Sequence, residues 1–185
     1  MCYPSRDEGT REIWALILEK AWAKVFGSYQ RIEAGTAGEA MYPLSGRPHK
    51  FFIHANLRNL DKLWDKVLSA DKKNYPMCCS VASQAIEGTT HQDVKSANLC
   101  DGHAYSLISA KVIKLDNGKT ERLIKIRNPW GHKEWEGDWS DRSNKWTAST
   151  KRQVNLQKGN DGTFWIAFAD YVKFFYITTI CYYNE

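Results

Sequence analysis

The sequence predicts an α+β fold, in which N-terminal helices precede a mostly antiparallel β-sheet or open barrel. Apolar residues recur at helical spacing early in the 185-residue chain and at alternate positions later. An Asp116-Asn117-Gly118 turn joins two long alternating segments, which is typical of a β-hairpin. Helices first and antiparallel strands afterwards are the element order of an α+β protein.

Two helices are predicted in the first part of the chain. The first extends from Thr10, a candidate N-cap, to Gly27, and its helically spaced apolar residues are Ile13, Leu16, Ile17, Ala21 and Val25. Asn59 caps the second, whose one-sided stripe predicts core packing: Leu60, Leu63, Trp64, Val67 and Leu68. Between them, Gly35, Gly38, Gly46 and Pro48 predict a loop with little regular structure, followed by a short strand at 51–53.

Strand periodicity dominates the rest of the sequence. Residues 77–82 are one predicted strand, and 104–115 and 121–128 are the two arms of the hairpin. The tail, 164–183, predicts a strand, a helical turn near Asp170 and a final aromatic-rich strand. Because side chains alternate along a strand, Ile124, Ile126 and Asn128 lie on one face, with Asn128 at the strand end.

Composition excludes several function classes. The 26 Lys and Arg against 21 Asp and Glu give a net charge of +5, and interleaving with acidic residues argues against a nucleic-acid partner. The longest apolar run, 174–183, is too short to cross a bilayer, and the N-terminus lacks a secretory signal. Five cysteines without a CxxC pair indicate reduced thiols. We therefore expect a single domain, 1–185, in the cytoplasm.

Two polar residues are candidates for catalysis because the hairpin brings them to one end of the sheet. His103 precedes the first arm, after the flexible-looking segment 87–102, and Asn128 ends the second arm. Taken separately, such a histidine is more often structural, and an asparagine before proline more often forms a turn. The pair becomes informative only in its sequence context.

That context resembles the calpain family of cysteine proteases. The similar segments, in chain order, are Leu18 to Lys24, Gly27-Ser28-Tyr29, Gly35 to Gly46 with Glu39, Gly102-His103-Ala104-Tyr105-Ser106, Ile126-Arg127-Asn128-Pro129-Trp130-Gly131, Glu134 to Asp141, Trp146, and Asp161-Gly162-Thr163-Phe164-Trp165. The resemblance covers nearly the whole chain. It implies the second, C-terminal lobe of a papain-like catalytic core, which carries the histidine and asparagine of a Cys-His-Asn triad.

The resemblance also implies roles for individual residues. His103 would promote formation of the attacking thiolate and later protonate the leaving amine, while Asn128 would orient its ring. Trp130 matches the family's tryptophan that shields the His-Asn pair from water. Gly102 matches a position whose backbone contacts bound substrate. The implied partners are a Cys-bearing first lobe and protein substrates.

The nucleophile has no match in this sequence. The family's Gln-x-Gly-x-Cys-Trp segment does not occur, and Cys2, Cys78, Cys79, Cys100 and Cys181 all lie in other contexts. We therefore expect inert thiols, with the Cys-bearing first lobe absent from this chain and no peptidase activity from the chain alone.

Calcium is the cofactor that the resemblance implies. Glu134, Asp141 and Asp161 match carboxylate ligands, and hard oxygen donors suit Ca²⁺. Thr163 stands where the family has another acidic ligand, which leaves Ca²⁺ binding open. Two other readings also remain open: a catalytically dead calpain-like module for protein-protein interaction or scaffolding, and a weaker metal-binding site at His49, His54, Cys78 and Cys79.

Overall fold

The computed structural model describes residues 13–83 and 88–183. Its centre is an antiparallel sheet of six strands in the order β1-β6-β2-β3-β4-β5, open rather than closed into a barrel. The strands are β1 (His49–Ile53), β2 (Met77–Ser80), β3 (Ala104–Lys114), β4 (Thr120–Arg127), β5 (Thr163–Ala167) and β6 (Ile177–Cys181). The predicted α+β class is confirmed.

Six α-helices accompany the sheet in the described residues. They are α1 (Trp14–Phe26), α2 (Ala37–Ser45), α3 (Leu60–Lys72), α4 (His91–Ser96), α5 (Ala148–Val154) and α6 (Phe168–Phe174), with single 3₁₀ turns at Gln30–Ile32 and His54–Asn56. Helix α1 ends at Gly27 as predicted, where φ is +94°. The predicted Thr10 cap lies outside the described residues.

The expectation of a loop between Gly35 and Pro48 is wrong, because helix α2 lies there. Thr36 and Glu39 form a reciprocal capping box: the Thr36 side chain accepts the Glu39 N–H, and the Glu39 carboxylate accepts the Thr36 N–H. This pairing satisfies two backbone donors at the helix start. The stabilisation from this capping box outweighs the unfavourable effect of the nearby glycines on helix formation.

The flexible-looking segment 87–102 contains helix α4, which its composition does not predict. Thr90 and Asp93 form a second capping box at the start of α4, and Val94 and Leu99 are buried in the core. Burying these apolar side chains fixes the segment against the sheet. Residue 87, at the start of this segment, lies outside the described part of the chain.

The core lies between the sheet and helices α3 and α6. Within the predicted stripe of α3, Leu63, Trp64 and Val67 are buried and Leu68 is partly buried, whereas Leu60 at the start of the helix is exposed. Asn59 caps the helix through its side-chain oxygen. A second cluster joins Trp139 and Trp146 to residues of β3, β4 and β5. In the described residues no helix is long and apolar enough to cross a membrane.

Candidate active site

The β3–β4 hairpin brings His103 and Asn128 together at one end of the sheet. His103 directly precedes β3, and its carbonyl accepts the backbone N–H of Val81, which extends the pairing of β2 with β3 by one residue. Asn128 directly follows β4, whose Arg127 pairs with Ser106. A register shift between Leu107 and Ser109 marks a β-bulge close to the site.

The two side chains are joined by a hydrogen bond. His103 Nε2 lies 2.9 Å from Asn128 Oδ1. In the described residues no group hydrogen-bonds the other ring nitrogen, Nδ1, of this half-buried imidazole. Because an amide oxygen only accepts, Nε2 carries the proton and the neutral ring keeps its lone pair on Nδ1. Nδ1 is therefore available to a reacting group.

The orientation of the Asn128 amide is set by its other partners. Nδ2 donates to the Lys133 carbonyl at 3.1 Å, and Oδ1 also accepts the Trp130 N–H at 3.1 Å. The side chain is fully buried. A flipped amide would place its NH₂ group against the Trp130 N–H and its oxygen against the Lys133 carbonyl. These hydrogen bonds therefore orient Asn128 Oδ1 toward His103 Nε2.

Trp130 covers part of the pair. Its ring centroid lies 4.3 Å from that of His103, and the residue remains 44% exposed. Burial lowers the pKa of His103, the Asn128 hydrogen bond acts in the opposite direction, and the Lys133 ammonium also lowers it. The imidazole is consequently held in its neutral form around neutral pH.

A cleft of about 880 Å³ opens beside His103. Gly102, His103 and Ala104 line it together with Ile177 and Thr179 of β6, and the remaining lining residues come from α1, the segment 31–36, α2 and β1. Gly102 has φ of +59° and its N–H donates to the Ala82 carbonyl. Its exposed position beside the histidine is open to a ligand in the cleft.

Two of the described cysteines, Cys78 and Cys79, differ from an activated thiol. Burial raises the pKa of Cys78 to about 11 and raises that of buried Cys79 well above its usual range. Cys181 is also buried, and partly buried Cys100 lies near the Tyr105 hydroxyl, which accepts its backbone N–H. A nucleophilic cysteine needs a depressed pKa, so Cys78 and Cys79 are in the wrong environment.

The three predicted calcium ligands lie close enough to interact electrostatically. Burial raises the pKa of Glu134, and the charges of Asp141 and Asp161 add to that shift. Each carboxylate accepts a backbone N–H, from Gly162, Gly159 and Thr163 respectively. Their oxygen chemistry suits Ca²⁺, but no three acidic, histidine or cysteine residues in the described part of the chain are arranged to hold a metal.

The alternative metal site at His49, His54, Cys78 and Cys79 is not assembled either. His54 is buried, with Nδ1 2.6 Å from the Phe175 carbonyl and Nε2 2.8 Å from the Thr178 hydroxyl. Both ring nitrogens are thus used within the core. The pKa of His54 falls to about 4, chiefly through burial.

Sequence reasoning missed two residues that support Asn128. The Lys133 carbonyl holds its amide, and the Gly162 carbonyl accepts its backbone N–H at 2.8 Å. For Gly162, the Asp161-Gly162 dipeptide is a turn signal in the sequence. Lys133 has φ of +58°, and its residue type gives no signal of that backbone conformation.

Comparison with known proteins identifies the family of the chain. A family model described as "calpain family cysteine protease" matches residues 1–182. Similar proteins include calpain clp-1 of Caenorhabditis elegans (34% identity, 92% of this chain and 22% of the relative), human calpain-14 (33%, 91% and 23%) and rat calpain-8 (35%, 95% and 24%). The chain spans about a quarter of the length of these relatives. On this match, the chain belongs to the calpain family of cysteine proteases.

Proposed function

We propose that this chain supplies the histidine and asparagine of a Cys-His-Asn triad in an intracellular calpain-like endopeptidase that acts on protein substrates. The observation that carries the proposal is the 2.9 Å contact between His103 Nε2 and Asn128 Oδ1, with Nδ1 left without a partner in the described residues. This is the arrangement in which an orienting group fixes the tautomer of a general base.

The reaction follows from that tautomer. Nδ1 of neutral His103 takes the proton of a cysteine thiol, and the thiolate attacks the scissile carbonyl carbon. The imidazolium then donates the Nδ1 proton to the amine as the C–N bond breaks, leaving an acyl-enzyme for water to hydrolyse. Asn128 holds the ring throughout, and Trp130 limits the access of water to their hydrogen bond.

The thiol comes from a Cys-bearing lobe outside this sequence. The raised pKa values of Cys78 and Cys79 support that assignment, since a buried neutral thiol is a poor nucleophile. The exposed cleft beside His103 is the place where such a lobe and a substrate would meet the imidazole.

The test compares the isolated chain with a complex containing a polypeptide that bears a Gln-x-Gly-x-Cys-Trp segment. We expect no peptide hydrolysis by the chain alone, and activity in the complex that His103→Ala abolishes. His91→Ala is the matched control, because His91 is an exposed histidine paired with Asp101. Turnover by the isolated chain that depends on His103 would contradict the missing thiol. An inactive complex that still binds proteins would support the scaffolding alternative.

Calcium dependence is a separate part of the proposal. Glu134, Asp141 and Asp161 would hold Ca²⁺ after their loops adjust, because three neighbouring carboxylates gain from a cation that offsets their mutual repulsion. Calorimetric titration should show binding that Asp141→Ala removes. A titration without heat, together with an unchanged melting temperature in excess Ca²⁺, would show that the site is not functional.

A further inference from the structure

Two chain segments hold Asn128 from opposite sides. From residues 131–134, the Lys133 carbonyl accepts the Asn128 side-chain amide at 3.1 Å. From residues 159–163, the Gly162 carbonyl accepts the Asn128 backbone N–H at 2.8 Å. The position and the orientation of the amide therefore depend on different segments.

Glu134 links these two segments. Its Oε1 accepts the Gly162 N–H at 2.8 Å, and Glu134 directly follows Lys133 in the chain. Its own carbonyl accepts a hydrogen bond from Asn98 Nδ2 at 3.0 Å, which anchors the residue to the turn that follows α4. The Glu134 carboxylate thus connects two segments. One contains Lys133, whose carbonyl holds the Asn128 amide, and the other contains Gly162, whose carbonyl holds the Asn128 backbone N–H.

The segments are also in close steric contact. A Cβ placed on Gly162 would lie 2.6 Å from the Asn128 carbonyl oxygen and 3.0 Å from the Gly131 Cα. Such tight packing transmits a displacement of Gly162 to Asn128 instead of absorbing it.

We propose that Glu134 is a positioning residue for the His103–Asn128 pair, acting through its hydrogen bond to Gly162 and through the adjoining Lys133 carbonyl. The inference rests on the catalytic role proposed above for that pair. In this proposal the Glu134 carboxylate positions the pair even when no cation is bound.

Loss of this carboxylate would have a specific consequence. The part-buried Gly162 N–H would lose its acceptor, and the two segments would no longer be tied together. The Asn128 amide could then separate from Lys133 and rotate. An amide that presents its NH₂ group to Nε2 no longer stabilises the tautomer with a free Nδ1.

The experiment measures proton exchange by NMR in the full 185-residue chain, in buffer containing a calcium chelator. Glu134→Ala should speed exchange of the Asn128 backbone N–H and the His103 Nε2–H by about ten- to hundredfold, as for loss of a hydrogen bond to a charged group. Glu134→Gln retains an acceptor oxygen and should restore most of the protection, although it removes the charge. Glu136→Ala is the matched control, since its exposed carboxylate contacts Asn98 and not Gly162.

The outcomes separate positioning from general destabilisation. Faster exchange confined to Asn128 and His103, with the Ile124 amide of β4 still protected, supports the proposal. Equal acceleration at all three sites shows a structural role only and overturns it. Failure of Glu134→Gln to restore protection also overturns the proposal, because the hydrogen bond from Gly162 to residue 134 would then not be the cause of the protection.

The same variants distinguish this inference from the proposed function. Unchanged exchange in Glu134→Ala, together with His103-dependent hydrolysis in the complex, would refute positioning and leave the triad assignment intact. Faster exchange in a complex whose activity is independent of His103 would refute the triad assignment and leave the physical coupling of Glu134 to Asn128 standing.

Discussion

Replacement of Gly162 by alanine tests how tightly the candidate site is built. Gly162 has φ of +83°, and Gly118, in the hairpin turn, has a nearly identical φ of +82°. The two glycines differ in their surroundings, because a Cβ on Gly118 would meet no atom within 4 Å. Gly118→Ala thus measures the backbone strain alone, whereas Gly162→Ala adds a collision with Asn128.

The expected magnitudes follow from these geometries. A left-handed alanine costs about 1–2 kcal/mol, which is the loss expected for Gly118→Ala. A Cβ forced to within 2.6 Å of the Asn128 carbonyl oxygen adds about 1–3 kcal/mol, by analogy with overpacking in a core. For a chain of this length, each kcal/mol lowers the melting temperature by about 2–4 °C.

Two assays check the prediction. Urea unfolding should place Gly162→Ala below Gly118→Ala in stability, and proton exchange should show lost protection at the Asn128 N–H only in Gly162→Ala. Equal stability losses in the two variants would refute the steric argument. Full protection of Asn128 in a destabilised Gly162→Ala chain would show that the strain relaxes away from the site.

Further predictions concern charge and binding. Lys133→Gln should raise the pKa of His103, because it removes a nearby positive charge. Asn128→Ala should lower that pKa, because it removes a hydrogen bond that stabilises the protonated ring. NMR titration of the His103 ring distinguishes the two directions. His54 stays neutral in the fold until its pKa of about 4, whereas the unfolded imidazole gains a proton near pH 6.5, so unfolding free energy should fall by about 3 kcal/mol between pH 6.5 and 4. Urea unfolding across that range should give a flatter profile for His54→Gln, and an unchanged slope would exclude His54 as the cause. Thr163→Glu should tighten calcium binding in calorimetry, since it adds a carboxylate next to the candidate ligands; no change would place position 163 outside the site.

Local patterns accounted for the elements with strong periodicity. The stripe around Leu63 and the Asn117-Gly118 turn specify α3 and the hairpin through interactions between near neighbours in sequence. Helices α2 and α4 were missed although each has a Thr-x-x-Glu or Thr-x-x-Asp capping box. Composition rich in glycine or small polar residues obscured a signal that depends on only two positions.

The residues of the candidate site also differ in whether a sequence pattern predicts them. The proximity of His103 and Asn128 could be predicted from sequence, because the two residues lie at hairpin ends whose pairing is predictable. Lys133 and Gly162 act through backbone carbonyls, and any residue type can present a carbonyl. Their contribution depends on how the loops that carry Lys133 and Gly162, which are 29 residues apart in sequence, approach Asn128, and no local pattern specifies that approach.

The charge state of His103 connects the architecture to the proposed chemistry. Burial and the Lys133 ammonium lower the pKa of His103 in this chain, so the ring is neutral around neutral pH. An ion pair of imidazolium and thiolate would reverse that balance, because a negative charge near Nδ1 favours the protonated ring. The hydrogen bond to Asn128 persists through this change, since Nε2 donates in both states. Under the proposed function, the hydrogen bond to Asn128 fixes the geometry of the base in advance, and the charge of the ring would be set by a partner thiol.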